Sequence, residues 1–359
     1  MKPLKIAMMS LTHGHTRKYY QTLHDSPKLD WVAACAENDT VKGIFDRSVS
    51  GIPCYRNEEE MFDRHPDIEA VVLASANSEH LRQIRLCAER GIHVLSMKIP
   101  TFDMEEYDEM IRLVEEAKII CQIELEMHYN PVIFRLKKLV ENGELGKLFA
   151  FQATNITLSP VWAFPWQGVP ELSYGKRVPL SPADPRFRGG ALCDHPHIFD
   201  MIRWITGSDY DHVYAAVPSR NIRSGLEVED TILVNGKMKD GTSFLLDPSW
   251  SRLEEKLPVP GPGWEIFPKR MEVNISLHGE KGVLMADCFG PNVYHNGKPN
   301  DRYTVQYTYF DEWIGLVDEF IHSIRTGTQP RINLQWHRRS IEAMNACYES
   351  IAKNKPVHF

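Results

Sequence analysis

The chain has 359 residues, of which 43% are hydrophobic and 25% charged, and its formal net charge is −7. This length predicts two domains with separate cores, and the composition excludes a disordered chain. The negative charge disfavours nucleic-acid binding, which depends on clustered Lys and Arg. The seven cysteines form no CxxC pair, and no apolar run approaches the ~20 residues that span a bilayer, so a cytoplasmic protein is expected.

The first 125 residues alternate short apolar runs with amphipathic stretches. Strands are predicted at 4–10, 30–36, 70–75, 93–97 and 119–125, and helices near 16–25, 57–64, 78–90 and 103–117. Continuous apolar strands are typical of a parallel sheet covered by helices on both faces. The alternation therefore predicts an α/β fold with a Rossmann-like, doubly wound parallel sheet in residues 1–125. Ligands of such sheets bind beyond the carboxyl ends of the strands.

The alternation of strands and helices ends in residues 126–334. A long strand, LFAFQATNITL, begins near residue 148 and a helix is predicted at 196–206, followed by strands near 229–236, 243–249, 270–278 and 282–287. KDGT (239–242) and GEKG (279–282) indicate hairpin turns. This half is predicted to be an α+β domain with a mostly antiparallel open sheet, whose exposed face favours a homodimer or homotetramer. Helices are predicted at 311–326 and 335–353, the second packing back on the first domain.

The segment GGALCDHPHIFD, residues 189–200, carries an aspartate and two histidines within four positions. Asp194 or His195 can cap the following helix, with Pro196 in its first turn. That interpretation does not require a histidine at position 197. A neutral imidazole near physiological pH is suited to removing a hydroxyl proton, so His197 is also a candidate base.

The same residues offer ligand types for a metal ion. Asp194, His195, His197 and His128 together would suit zinc or manganese. Adjacent residues seldom converge on one ion, and no second cluster has a characteristic spacing. No metal is therefore expected.

Four stretches, taken in order and spacing, resemble the Gfo/Idh/MocA family of NAD(P)-dependent dehydrogenases and reductases that act on sugars and cyclitols. They are KIAMMS, VVLASANSEHLRQIRLCAERGIHVLSMK, NPVIFRLKKLVENGELGKL and GGALCDHPHIFDMIRWITG. The likeness covers nearly the whole chain. It implies that NAD binds in the first domain and a small carbohydrate or cyclitol in the cleft beside it.

The glycine-rich turn of the family is altered in this chain. The three glycines of its GxGxxG motif fall on Ser10, Thr12 and His15, while Gly14 remains nearby. Thr12 and the main-chain amides at the start of the helix can still donate to a diphosphate, and His13 or His15 can supply partial positive charge. A helix start capped by Thr12 explains the same residues without a cofactor.

Further cofactor contacts are expected after the second and third strands. The acidic residue that holds the adenosine ribose in the family falls on Ala36, and Glu37, one position later, can replace it or be a solvated loop charge. A carboxylate there favours NAD over NADP. Ser75, Asn77 and His80 follow the third strand and are the remaining candidates.

The resemblance also implies roles for the catalytic residues. The Glu-Lys-Pro segment of the family becomes Met97-Lys98-Ile99, which leaves Lys98 to stabilise an oxyanion and to contact the cofactor, with a pKa lowered by burial. His197 would be the proton acceptor and Asp194 its orienting partner or a substrate ligand. His195 is a substitute for either, or a substrate contact.

Substrate contacts are expected from residues outside these motifs. His128 fits either a substrate contact or a buried histidine between the domains. The aromatic side chains of the Pro-rich loop that precedes the glycine pair fit either a sugar-stacking lid or a small satellite core. They are Trp162, Phe164, Trp166 and Tyr174. Trp250 and Arg252 are expected to line the same cleft.

The predicted function is the reversible oxidation of a ring carbinol of a sugar, glycoside or cyclitol. Two alternatives stay open. One is an enzyme that recycles bound NAD while it cleaves a glycoside. The other is a binding or regulatory protein that has lost dinucleotide affinity, which the replacements at Ser10, Thr12, His15 and Ala36 make credible.

Overall fold

Two sheets organise the chain in a computed structural model, which describes residues 2–11, 13, 15–157, 190–222, 228–251, 272–297, 301–306 and 311–359. The expectations for Thr12, Gly14, Trp162, Phe164, Trp166, Tyr174 and Arg252 lie outside these residues. None of the helices in the described ranges combines the length and apolarity that crossing a membrane requires.

The first sheet is parallel and has six strands in the order β3-β2-β1-β4-β5-β6. Its strands are β1 (Leu4–Met9), β2 (Leu29–Cys35), β3 (Cys54–Tyr55), β4 (Ala70–Leu73), β5 (His93–Ser96) and β6 (Cys121–Ile123). The apolar strands β1 and β4 are almost wholly buried, as expected for a sheet with helices on both faces. The predicted doubly wound α/β domain is confirmed.

Five helices connect these strands. They are α1 (Thr16–Asp25), α2 (Asp39–Ser48), α3 (Glu58–Arg64), α4 (Asn77–Arg90) and α5 (Met104–Ala117). Short polar side chains begin three of them: Asn38, Asn57 and Asp103 each accept from main-chain N–H groups of the first turn. Gly91 ends α4 with a φ of 67°, a left-handed conformation that glycine adopts without strain.

The second sheet has nine strands in the order β14-β13-β12-β11-β7-β10-β9-β8-β15. Neighbouring strands are antiparallel except the parallel pair β7 and β10. The strands are β7 (Leu148–Ile156), β8 (Tyr210–Ala216), β9 (Leu233–Met238), β10 (Ser243–Asp247), β11 (Glu272–Gly279), β12 (Gly282–Asp287), β13 (Asn292–Gly297), β14 (Asp301–Thr304) and β15 (Val357–His358). The predicted mostly antiparallel sheet and both of its hairpin turns are confirmed.

Five helices follow in the rest of the chain: α6 (Pro131–Glu141), α7 (Ala191–Asp194), α8 (His197–Thr206), α9 (Asp311–Thr326) and α10 (Leu334–Lys353). Of these, α6, α8 and α10 pack against the second sheet, and a 3-10 turn, Glu126–Tyr129, joins the two sheets. Helix α10 contacts β8 of the second sheet and also α5 and β6 of the first, while α9 packs on α1 and on the 3-10 turn. A domain division near residue 125 falls between β6 and that turn, and it stays a prediction.

One capping prediction is wrong. Helix α8 begins at His197 after Pro196, and neither Asp194 nor His195 caps it, because both side chains are bonded elsewhere. Helix α1 begins at Thr16, directly after His15. The amide of His15 donates to Nδ1 of His13 at 3.1 Å.

Candidate active site

Lys98 lies directly after β5, at the carboxyl edge of the first sheet, and only 6% of it is exposed. Its Nζ donates to the main-chain oxygen of Asp194 at 2.5 Å and to Oδ1 of Asp194 at 3.1 Å. Burial opposes the charged form, but the carboxylates around it, above all Asp194, outweigh that effect and raise the pKa of Lys98. The expectation of a lowered pKa is therefore wrong, and Lys98 is a charged hydrogen-bond donor.

Both carboxylate oxygens of Asp194 accept hydrogen bonds. Its Oδ2 accepts from Nε1 of Trp250 at 2.9 Å, while Lys98 occupies Oδ1. Burial works against ionisation, yet Lys98 lowers the pKa of this carboxyl below its usual range. The described contacts join Asp194 to Lys98 rather than to His197, so the prediction that Asp194 orients the imidazole of His197 is wrong.

His195 uses both ring nitrogens. Nδ1 lies 2.9 Å from the oxygen of Pro248, and because a carbonyl only accepts, Nδ1 carries the proton. Nε2 then accepts from the hydroxyl of Thr157 at 3.1 Å. Burial lowers the pKa of His195, so it is neutral, and the 3.4 Å approach of Nε2 to Asp194 is not an ion pair. His195 is fixed in one tautomer at the cavity wall.

His197 is the first residue of α8 and is 2% exposed. Its Nε2 lies 3.7 Å from Oε1 of Glu126, beyond hydrogen-bond distance, and its Nδ1 has no partner in the described part of the chain. Burial, reinforced by the charge of Lys98, holds the pKa of His197 well below its usual range. The imidazole is therefore neutral and has the form that accepts a proton.

These side chains meet at one cavity of about 170 Å³ between the two sheets. Lys98 and His197 both line it, as the sequence analysis requires, and Asp194 and His195 lie beside them. The other lining residues described are His15, Lys18, Glu126, Met127, Asn155, Thr157, Phe289, Glu312 and Trp313. A buried ammonium donor and a neutral imidazole at one cavity can position a hydroxyl group and accept its proton.

A second concavity of about 390 Å³ follows the carboxyl ends of β1, β2 and β4. Ser10, Ala36, Glu37 and Ser75 line it, as a dinucleotide groove at this edge would require. Ser10 has a φ of 68°, a left-handed backbone conformation that glycine adopts more readily than other residues. Glu37 is held in place because Oε1 accepts from the amide of Leu11 at 2.9 Å.

Other predicted cofactor residues lie away from this groove. His13 and His80 are buried, with exposures of 4% and 1%, and Nδ1 of His80 lies 3.1 Å from the oxygen of Pro100. Asn77 begins α4 and does not line the groove, and the side chain of His15 lines the Lys98 cavity instead. Direct contacts from His13, His80 and Asn77 are therefore not supported.

His128 does not reach the cavity. It is fully buried, and its ring lies 4.8 Å from that of Trp204, centroid to centroid. Burial lowers its pKa to about 3. Its place in the fold corresponds to the buried-histidine interpretation rather than to a substrate contact.

The sequence analysis missed three buried carboxylates at the cavity end of the first sheet. Glu124 and Glu126 follow β6, and Glu312 is in the first turn of α9. Burial raises the pKa of Glu124 to about 7, that of Glu126 to about 8 and that of Glu312 to about 7. The sequence signal for them was the pair of glutamates within the apolar run that ends in IELEM, because burying a charged side chain is costly unless it is paired.

The fold and the site define a two-domain oxidoreductase. A profile described as an oxidoreductase family with an NAD-binding Rossmann fold matches residues 9–125, and the Gfo/Idh/MocA C-terminal domain profile matches residues 133–285. The chain belongs to the Gfo/Idh/MocA family, and the groove beyond β1, β2 and β4 lies in its NAD-binding domain.

Individual relatives are distant. The chain is 24% identical over 314 residues to myo-inositol 2-dehydrogenase of Thermotoga maritima, an alignment that covers 84% of this chain and 83% of the relative. A solved myo-inositol 2-dehydrogenase from Lactobacillus plantarum has a TM-score of 0.76 and 21% identity, with full coverage of both chains. An oxidoreductase from Agrobacterium radiobacter, solved with NAD+, L-tartaric acid and magnesium, has a TM-score of 0.79 and 17% identity, covering 99% of this chain and 98% of that one. Both structures support the fold.

Proposed function

We propose that the protein is an NAD-dependent dehydrogenase that oxidises a ring carbinol of a sugar, glycoside or cyclitol. The observation that carries this proposal is the meeting of Lys98 and His197 at one cavity beside the NAD-binding domain. The inositol dehydrogenase among the relatives supports a polyhydroxylated ring as the substrate class.

Each residue of the cavity has a distinct part in this proposal. Lys98, fixed by Asp194, donates a hydrogen bond to the carbinol oxygen and stabilises the negative charge that develops there. His197 accepts the hydroxyl proton, because burial keeps its imidazole neutral. His195 and Thr157 form a fixed polar wall that the other hydroxyl groups of a ring can contact. NAD, when bound, supplies the two-electron acceptor.

The residues of the groove suit the adenosine end of NAD. The carboxylate of Glu37 lines the groove, where it can accept from the two ribose hydroxyls and repel a 2′-phosphate. Arg56, which also lines the groove, is already bonded to the oxygen of Ala36 and to Oδ1 of Asp39. This arrangement favours NAD over NADP.

The direct test combines NAD binding with a replacement of His197. We expect calorimetric titration to show NAD binding, and a panel of cyclitols and sugars to reveal one class whose oxidation produces NADH. His197→Ala should then lower kcat by a factor of about 10²–10⁴, the usual contribution of a general base. His278→Gln, a replacement on β11 away from the cavity, serves as the control.

Two results would overturn the proposal. An unchanged rate in His197→Ala would remove this residue from the mechanism. Failure of the wild-type protein to bind either NAD or NADP would favour a binding or regulatory protein.

A further inference from the structure

Three side chains from two segments of the chain converge at the edge of the active-site cavity. Nδ1 of His15, at the start of α1, lies 2.8 Å from Oε1 of Glu124, which follows β6. Glu126 lies beside them, and one donor atom from each of the three residues lies within 4.8 Å of the other two. Donor atoms bound about 2.0–2.2 Å from one divalent ion are separated by about 3–4 Å, so this spacing fits a common ion.

The two glutamates are buried, and each keeps an unused hydrogen-bond acceptor within the described part of the chain. Glu124 is fully buried and Glu126 is 6% exposed, and Oε2 of each carboxylate has no hydrogen-bond partner there. Lys98, the ammonium that lines the same cavity, is bonded to Asp194. Two buried carboxylates this close together are costly to ionise unless they share a proton or bind a cation.

A fourth side chain points to a ligand at this place. His197 is 2% exposed, and its Nε2 faces Oε1 of Glu126 at 3.7 Å. That separation is too long for a hydrogen bond, and Nδ1 of His197 has no partner in the described part of the chain, so this buried imidazole lies beside the cluster without a hydrogen bond. His197 comes from the second domain, so it approaches the cluster independently of β6 and α1.

We propose that His15, Glu124 and Glu126 bind one divalent first-row metal ion, of the Mn²⁺ or Zn²⁺ type, at the edge of the cavity. An imidazole nitrogen with two carboxylates is the mixed donor set that these ions accept. The Nε2–H tautomer of His15 presents the Nδ1 lone pair to the same point as Oε1 of Glu124. The sequence analysis expects no metal from Asp194, His195, His197 and His128, and it does not consider this set, whose three ligands are separated in sequence and share no motif spacing.

Such an ion would have a defined place in the reaction. Glu126 and His15 both line the cavity, so coordination positions not filled by protein face the space that holds Lys98 and His197. Adjacent hydroxyl groups of a ring substrate can replace water at two such positions and thereby fix the ring, a role that rests on the proposed function. The binding of the ion itself does not rest on it.

The test measures Mn²⁺ binding to full-length protein that has been treated with a chelator and dialysed, without NAD or substrate. Electron paramagnetic resonance of unbound Mn²⁺ gives the number of sites and the affinity. We expect one site per chain, weakened by a factor of about 100 or more in Glu126→Gln and in His15→Ala, because outer-shell replacements alone typically cost 10–100-fold. Zn²⁺ is expected to compete for the same site.

Two controls separate this site from other carboxylates. Asp211, His212 and His358 also bring donor atoms within 4.8 Å of one another, near the protein surface, so Asp211→Asn should leave the tight site intact. Glu229 is another buried carboxyl, whose pKa burial raises to about 7, but it contacts Leu192 and Tyr348. Glu229→Gln should therefore also keep the site.

Several outcomes would overturn the proposal. In one, the wild type binds neither Mn²⁺ nor Zn²⁺, which would mean that the two glutamates share a proton. In another, Asp211→Asn loses the site while Glu126→Gln keeps it. If the variants fail to fold, anomalous scattering from Mn²⁺-soaked wild-type crystals decides, since the peak must lie between His15 and Glu124. None of these outcomes bears on NAD binding or on the His197→Ala test.

Discussion

The ammonium of Lys98 is hydrogen-bonded to both the main-chain oxygen and the carboxylate of Asp194, so the carboxyl edge of the first sheet is joined directly to the segment that precedes α8. Trp250 holds the second carboxylate oxygen from the side of the second sheet. Asp194 is thus a positioning residue for Lys98. It also makes the stability of the interface depend on the charge that the proposed reaction uses.

The ion pair of Lys98 with Asp194 predicts that substitutions can separate effects on stability from effects on activity. Lys98→Met should lower the free energy of unfolding by about 3–5 kcal/mol, because it leaves the carboxylate of Asp194 buried without its partner. The double variant Lys98→Met/Asp194→Asn should regain much of that stability but not the activity. Chemical denaturation and steady-state kinetics measure the two quantities on the same samples.

The control for this pair is Lys138→Met. Lys138 is an exposed lysine of α6 whose ion pair with Glu141 lies at the surface, so the change should cost no more than about 1 kcal/mol. Recovery of activity in the double variant would show that Lys98 acts only in folding.

Glu37 predicts the cofactor preference. Glu37→Ala removes the carboxylate proposed for the ribose hydroxyls, so NAD affinity should fall about tenfold or more while NADP affinity rises or stays constant. Fluorescence titration with both dinucleotides gives the ratio of the two dissociation constants. Asp46→Ala, an exposed change on α2, should leave that ratio unchanged, and an equal loss for both cofactors in Glu37→Ala would assign Glu37 to the fold alone.

The sequence predicted the parts of the fold that depend on local pattern. Apolar strands such as β1 and β4 and the helix α9, whose observed bounds match the prediction, follow from hydrophobic periodicity. Strands β13 and β14 were not predicted, because β13 carries several polar residues and β14 is short and largely exposed. Their pairing is set by neighbouring strands and not by their own sequence.

The candidate site was predictable only where a motif marked it. Lys98 and His197 were identified from the family pattern, and the fold brings them together as expected. The partner of Asp194 was not predictable, since it depends on the distance between two domains. Glu124 and Glu126 were overlooked because each was assigned to a strand or a turn, and their proximity to His15 depends on the tertiary fold and not on local sequence.

Asp200 predicts a loss of stability in acid. Its carboxylate joins α8 to α10 through bonds with Nε1 of Trp336 and Nδ1 of His337. Burial works against ionisation, but His337 and its neighbours outweigh it and lower the pKa of Asp200 below the ordinary 3.8. A carboxyl with a lowered pKa in the folded state contributes stability above its unfolded pKa and loses it as pH falls through the folded value. The wild type should therefore lose this contribution below about pH 4.

Thermal unfolding from pH 3 to pH 7 tests the role of Asp200. Asp200→Asn should be less stable than the wild type at pH 7 and should show a smaller further loss below pH 4. Asp25→Asn serves as the control, because Asp25 is an exposed carboxylate at the end of α1. Parallel pH profiles for Asp200→Asn and the wild type would show that another carboxylate causes the acid loss.

Exposed apolar side chains on one face of the second sheet, among the residues that the structure describes, predict an oligomer. Four large side chains on this face are 42–47% exposed, an apolar area that isolated chains seldom leave in water. They are Leu233, Leu245, Met285 and Tyr294.

Light scattering after size exclusion should give two or four times the mass of one chain for the wild type. Leu245→Glu/Met285→Glu places charges in this face and should yield monomers with unchanged NAD affinity, because the NAD-binding groove lies in the other domain. Ile44→Glu, a similar change at an exposed position of α2, should keep the wild-type mass. A monomeric wild type would mean that this face is not covered by a second copy of the chain.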